Sequence, residues 1–413
     1  MKQEKMFVPS QTSIKNAATL LRTIFKETPL ELNLNLSAKY RANVYLKRED
    51  LTPVRSYKIR GAFVKMNTLA SSLPPIVTCS AGNHAQGVAF SCDRLGVQGE
   101  IFMPSITPNQ KINKVKQFGK KFVNINLVGK NFDECFQVAT QFAQNEGRTF
   151  VHPFDDEMVI TGQATVGYEI FEQFHGKQID YILVPVGGGG LAAGLSSYIR
   201  EVSPLTKIIG VEPTGAPSMT LSLRKNTVSS LEKLDTFVDG AAVKKVGALN
   251  FPICKENLDD MILVDEGHVC SKIVQMYNEN GYIIEPAGVL SLCALDKIKY
   301  FEGANIVSVI SGGNSDVFRM PEILERSLIY EGVKHYFRIE FPQKAGALKK
   351  FIMSALGPND DIIYFRYTKL IAKETGPVVI GIETTTKENI VELLTKMRDH
   401  GIVFEKLDPS CVY

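Results

Sequence analysis

Short apolar runs alternate with helix-spaced stretches along most of the first 320 residues. Residues 43–46, 76–78, 100–103, 121–123, 181–185, 207–211 and 306–310 are apolar blocks that predict buried strands. Residues 132–146 and 281–299 carry the apolar spacing of helices. Strands alternating with helices predict an α/β arrangement, with parallel sheets covered on both faces. Ligands of such sheets gather beyond the carboxyl ends of the strands. Ser80, Gly187 and Ser311 each follow one of these strands. Three polar or glycine-rich turns are therefore expected at ligand-binding ends.

The pattern changes near residue 320. Residues 321–334 fall in a charged, helix-like stretch and are expected to be a linker. Beyond it, 335–341 alternates as a strand, 345–356 reads as a helix, 362–369 and 378–383 as strands, 387–400 as a helix and 402–405 as a last strand. This β-α-β-β-α-β order is ferredoxin-like. It holds no constellation of catalytic residue types. Three parts follow: a catalytic region at 1–320, the linker, and an α+β domain at 335–413.

Composition narrows the partners. At 413 residues the chain can form two or three domains with buried cores. The net charge is +3 and no dense Lys/Arg block occurs, so nothing argues for nucleic acid. The longest apolar stretch, 182–195, is interrupted by Pro185 and glycines and is not a membrane span. Residues 1–13 lack the apolar core of a signal peptide. Seven cysteines without a C-x-x-C pair suggest reduced thiols in a cytoplasmic protein.

The chemistry concentrates in three places. Gly187, Gly188, Gly189 and Gly190 lie between a strand and a helix, where backbone N–H groups can approach a phosphate at the positive end of the helix dipole. A tight turn without a ligand is the plain alternative. A second rival is a dinucleotide fingerprint, Gly187-x-Gly189-x-x-Ala192, with Glu212 as the ribose-binding acid. Lys58 sits between Tyr57 and Ile59 and is followed by Gly61-Ala62-Phe63. A surface lysine is the usual case, but this apolar setting would lower the pKa and make the amine a nucleophile toward an aldehyde. Ser80 to Gly87 reads as a strand-to-helix turn whose Ser80 or Asn83 caps a helix, or whose N–H groups bind a carboxylate. His84 taken alone reads as structural. The three together suggest an aldehyde cofactor held by an imine to lysine, its phosphate cradled by backbone.

Lys47-Arg48-Glu49-Asp50-Leu51-Thr52-Pro53, Ser56-Tyr57-Lys58-Ile59-Arg60-Gly61-Ala62, Ser80 to Gly87, Gly187 to Leu191, Glu285-Pro286-Ala287-Gly288 and Ser311-Gly312-Gly313-Asn314 resemble the threonine dehydratase family. These are pyridoxal-phosphate enzymes of the tryptophan-synthase-β-like fold (fold type II), with two parallel-sheet α/β lobes. The match runs in order over roughly residues 15 to 320. The segment 335–407 resembles the ACT-like regulatory module of the biosynthetic branch, above all in Phe337-Arg338-Ile339-Glu340-Phe341-Pro342 and Gly346-Ala347-Leu348.

The resemblance implies roles. Lys58 carries the imine; Gly187, Gly188, Gly189, Gly190 and Leu191 bind the phosphate; Asn83 contacts the phenolic oxygen; Ser311 faces the pyridine nitrogen. Ser80, Ala81, Gly82, Asn83 and His84 form the substrate loop. The implied reaction takes L-threonine, or L-serine, and releases ammonia; from threonine the product is 2-oxobutanoate. Isoleucine is the implied inhibitor, with valine opposing it, and a homotetramer the implied assembly. Related serine racemases carry a serine where this chain has Ala81, which disfavours racemisation. Glu212 lacks the second carboxylate of a divalent-cation site, so no metal is expected. A catabolic serine/threonine dehydratase shares the core motifs but does not need 335–413. A β-replacement enzyme usually carries a Thr-Ser-Gly-Asn type loop instead.

Overall fold

The structure is a computed structural model describing residues 6–68, 75–367 and 374–408. The chain divides into two compact units, Met1–Asp316 and Val317–Tyr413. The first unit holds two sheets. The larger runs Leu30–Leu32, Asn43–Arg48, Asn305–Ile310, Tyr181–Pro185, Lys207–Pro213, Asp260–Val264 in space. Every neighbouring pair is parallel except the edge pair of Leu30–Leu32 with Asn43–Arg48. The smaller runs Val123–Leu127, Gly99–Met103, Ile76–Cys79, Thr149–Phe150, all parallel. Tyr181–Pro185 lies inside the larger sheet and is buried at all five positions, as a strand covered on both faces must be.

Seven predicted blocks therefore contribute to strands, with one shift. Residues 121–123 were expected as a strand, but Lys120–Phe122 is a 3₁₀ turn and the strand is Val123–Leu127. The reason lies in Asn124 and Asn126, which both donate to Glu100 Oε2 on the neighbouring strand, so an edge strand forms from polar alternation instead of an apolar run. The expected helix at 281–299 is also shorter. Gly281, in the left-handed region at φ 67°, ends the preceding helix Glu266–Asn280, and Pro286 opens the helix Pro286–Cys293. The segment between them is not helical, and it leads Glu285 toward the site.

A knot of charges is buried in this unit. Arg60, fully buried, pairs with Glu49 at 2.7 Å and Glu169 at 2.7 Å, while Lys47 donates to the same Glu169 at 2.7 Å. Although burial works against it, Arg60 and Lys47 hold the Glu169 carboxyl down to about 2.

The second unit is an antiparallel sheet in the order Asp361–Tyr367, Thr375–Glu383, Lys334–Pro342, Phe404–Leu407. The helices Ala347–Ala355 and Asn389–Asp399 contribute Phe351, Ala355, Leu393 and Met397 to one core with Phe337, Ile339, Val378 and Ile380. This is the ferredoxin-like order expected. The expected strand 362–369 is described as Asp361–Tyr367; its last two residues lie outside the described residues. The stretch 321–334 contains most of the helix Met320–Tyr330, whose Glu325 accepts from Tyr336 and pairs with Lys334. Among the described residues no helix is long and apolar enough to cross a membrane.

Candidate active site

Lys58 is the first residue of the helix Lys58–Thr68. Its approach is fixed from behind: Ser56 forms a bridge with Gly312, and the Tyr57 N–H donates to Ser311 O at 3.1 Å. The Nζ donates to Pro153 O at 2.7 Å, with the rings of Tyr57 and Phe154 centred 5.4 Å and 5.9 Å away. Burial lowers the amine to about 8, against the pull of Glu285. A near-neutral amine of this kind can attack an aldehyde or take a proton.

Phe154 joins the lysine to the glycines. A Cβ on Gly188 would lie 2.3 Å from the Phe154 ring, and one on Gly190 2.9 Å from Phe154 O. Gly189 adopts φ 93°, where a side chain is strained, and a Cβ there would meet Asn250. Asn250 Nδ2 donates to Phe154 O at 3.0 Å and Gly188 O at 2.9 Å, clamping the turn from outside. Among the described residues, the N–H groups of Gly187, Gly188, Gly189, Gly190 and Leu191 meet no acceptor within the chain. They form a row of donors at the start of the helix Gly190–Val202. Such a row is an anion site.

The Ser80 loop has a similar character. Gly82, not Ser80 or Asn83, holds the N-cap position of the helix Asn83–Leu95, and no side chain caps it. Ser80 Oγ accepts from the Gly82 N–H at 3.2 Å. The N–H groups of Ala81, Asn83 and His84 meet no acceptor among the described residues. The His84 ring turns away to Val151 O at 3.0 Å, and burial lowers its pKa to about 3. Asn83 points its amide at Glu285 and Asn314: Nδ2 donates to Glu285 Oε1 at 2.6 Å, and Oδ1 accepts from Asn314 Nδ2 at 2.7 Å. Burial, with Asp239 beside it, pushes the Glu285 carboxyl up to about 7. Ser311 is buried, its Oγ donating weakly to Ala287 O at 3.3 Å.

Glu212 is spent elsewhere. It is fully buried and accepts from the N–H groups of Met219 and Thr220 at 2.6 Å and 2.9 Å, at the start of the helix Ser218–Lys225. That removes the acid a dinucleotide site needs.

Several neighbours of the site carry little sequence signal. Pro153, Phe154 and Asn250 lie far from every motif and reach the glycines only through the fold. Glu285 and Asn314 stand inside quoted motifs, so a signal existed for them.

The residues fit pyridoxal phosphate. A near-neutral lysine suits its aldehyde, a row of free N–H groups suits its phosphate, and the Ser56 hydroxyl is buried without a partner beside Gly312. The comparisons agree. The model of the pyridoxal-phosphate dependent enzyme family matches residues 21–312, and that of the C-terminal regulatory domain of threonine dehydratase matches 325–413. The chain is 49% identical over 397 residues to the L-threonine dehydratase biosynthetic IlvA of Halalkalibacterium halodurans, with 94% of each covered. It is 46% identical over 410 residues to the protein of that name from Staphylococcus aureus, covering 98% of this chain and 96% of that one. The processed form of threonine deaminase isoform 2 from Solanum lycopersicum aligns with TM-score 0.69 and 38% identity over 78% of this chain and 97% of that one. The chain thus belongs to the pyridoxal-phosphate dependent enzymes, in the biosynthetic L-threonine dehydratase family with its C-terminal regulatory domain.

Proposed function

We propose that this chain is a threonine ammonia-lyase that converts L-threonine to 2-oxobutanoate and ammonia, the first step toward isoleucine. The observation that carries this reading is the meeting, against Phe154, of the Lys58 amine and the turn whose N–H groups are free. When bound, pyridoxal phosphate supplies an electron sink that acidifies the α-carbon of an attached amino acid. The N–H groups of Gly187 to Leu191 hold the phosphate, and the helix dipole behind them adds to the attraction. Lys58 would hold the cofactor's aldehyde and would serve as the base at the substrate's α-carbon; an amine held near 8 is suited to both tasks. Asn83 would donate to the phenolic oxygen. The free N–H groups of Ala81, Asn83 and His84 hold the substrate carboxylate, with Ser80 and Gly82 shaping the turn. Ser311 would offer the pyridine nitrogen a neutral partner, which would favour loss of the β-hydroxyl over amino transfer. Ala81 has no hydroxyl with which to reprotonate the opposite face.

In this reading residues 1–320 catalyse, 321–334 connect, and 335–413 bind an effector. Isoleucine inhibits there, valine opposes it, and the enzyme works as a cytoplasmic homotetramer. The second-unit fold and the match of residues 325–413 to a regulatory domain support an effector-binding role for 335–413. A threonine saturation curve of the purified chain with pyridoxal phosphate, read as 2-oxobutanoate with and without isoleucine, tests both halves. Turnover that isoleucine depresses is expected, and Lys58→Ala should abolish it. Absence of keto acid would end the proposal.

A further inference from the structure

One side chain of the site has no part in the chemistry above. Glu285 occupies the N-cap position of the helix Pro286–Cys293, its backbone carbonyl accepting from the Gly288 N–H at 2.8 Å while its side chain caps none of that helix's N–H groups. Its carboxylate turns to the Ser80 loop instead. Oε1 accepts from Asn83 Nδ2 at 2.6 Å, and Oε2 from the Asn314 N–H at 3.2 Å. Glycine keeps the space open, since a Cβ at Gly312 would lie 2.2 Å from Oε1. Asn314 completes the arrangement, its Nδ2 donating to Asn83 Oδ1 at 2.7 Å and to Val54 O at 2.8 Å. The Asn83 amide is therefore held at both ends. Turning it over would set its N–H groups against the Asn314 donor and its oxygen against a carboxylate. Its second N–H is left for a ligand.

We propose that Glu285 is a positioning residue of the cofactor site, fixing the Asn83 amide so that its donor end is presented to the bound cofactor. The inference rests on the reading of Lys58 and Asn83 as cofactor residues. Position 285 must accept on both oxygens. A glutamine that offers its oxygen to Asn83 turns its own amide nitrogen on the Asn314 N–H, so one contact is lost either way. Burial pushes this carboxyl up to about 7, so the hold is present above that pH and weakens as the pH falls through it. The charged and titratable groups facing it are Tyr57, Lys58, Lys111, Lys114 and Asp239, and they tune that midpoint.

The test uses the full chain, stripped of cofactor and reloaded with pyridoxal phosphate. Three quantities are read: the dissociation constant by equilibrium dialysis, the pH titration of the bound cofactor's visible absorbance, and the residue labelled by borohydride trapping. Glu285→Gln is expected to weaken binding about tenfold and to move the absorbance titration. Glu285→Asp should recover part of both. When Asn83→Ala is already present, Glu285→Gln should add nothing. A folded Glu285→Gln protein with unchanged affinity and titration overturns the inference, as do effects of the two substitutions that simply add. Should Glu285→Gln not fold, Glu285→Asp bears the same comparison, and wild-type affinity and titration in it overturn the inference. A wild-type label on a residue other than Lys58 overturns the underlying site reading, and is distinguishable because it needs no variant.

Discussion

Lys58 shows what a residue loses and gains by its place. An isolated lysine says little, yet its apolar neighbours Tyr57 and Ile59 already announced desolvation, and the fold lowers its amine to about 8. The folded chain thus binds that proton less tightly than the unfolded one. The penalty acts below about pH 8 and fades as the pH rises from there toward the ordinary value of 10.5. Lys58→Met in the cofactor-free chain should therefore be more stable than wild type at pH 7, by about 1–2 kcal/mol, with the gap closing at higher pH. Urea denaturation at a series of pH values measures it. Asn83 is the contrary case: the sequence offers it as a helix cap or as a donor to a cofactor oxygen, and only the fold shows Glu285 and Asn314 holding its amide.

At the scale of elements, the run from Tyr181 to Val202 is a strand, a glycine turn and a helix, and each part was legible from its own composition. What the run could not show is why four glycines are needed. Phe154 and Asn250 press on the turn from segments distant in sequence, the first leaving no room for a Cβ at Gly188 and the second none at Gly189. Gly188→Ala should either push Phe154 away or distort the donor row. We expect at least a tenfold loss of pyridoxal-phosphate affinity, of the order of a few kcal/mol of overpacking, read by equilibrium dialysis alongside the melting temperature. The segment 281–299 is not one helix: apolar spacing continues through Gly281 and Pro286, whereas backbone geometry there ends one helix and starts another.

In the molecule as a whole, the buried knot of Arg60, Glu49, Glu169 and Lys47 draws together residues far apart in the chain. Removing one member leaves the others buried and unbalanced. Arg60→Leu should lower unfolding stability by about 3–5 kcal/mol, measured as a drop in the urea midpoint. Glu169 belongs to the same account with its carboxyl held down to about 2: its contribution is complete above the ordinary carboxylate range and is lost as the pH falls toward that value. Lys47, Glu49 and Arg60 all stand in the motifs that carry the family resemblance, but the pairing of Arg60 with Glu49, and of both cations with Glu169, is not visible there.

The sequence by itself determined the alternation of elements, the change to a ferredoxin-like pattern near residue 320, and the three turns that bear the chemistry. Apolar periodicity and glycine or polar turns are local properties, so they survive without coordinates. Tertiary structure alone decided which partner each polar group takes. Glu285 rather than water receives the Asn83 amide, Glu212 is consumed by a helix start, and Phe154 sets Lys58 beside the glycines. Those outcomes depend on hydrogen bonds and close packing between segments distant in the chain, which no local pattern encodes.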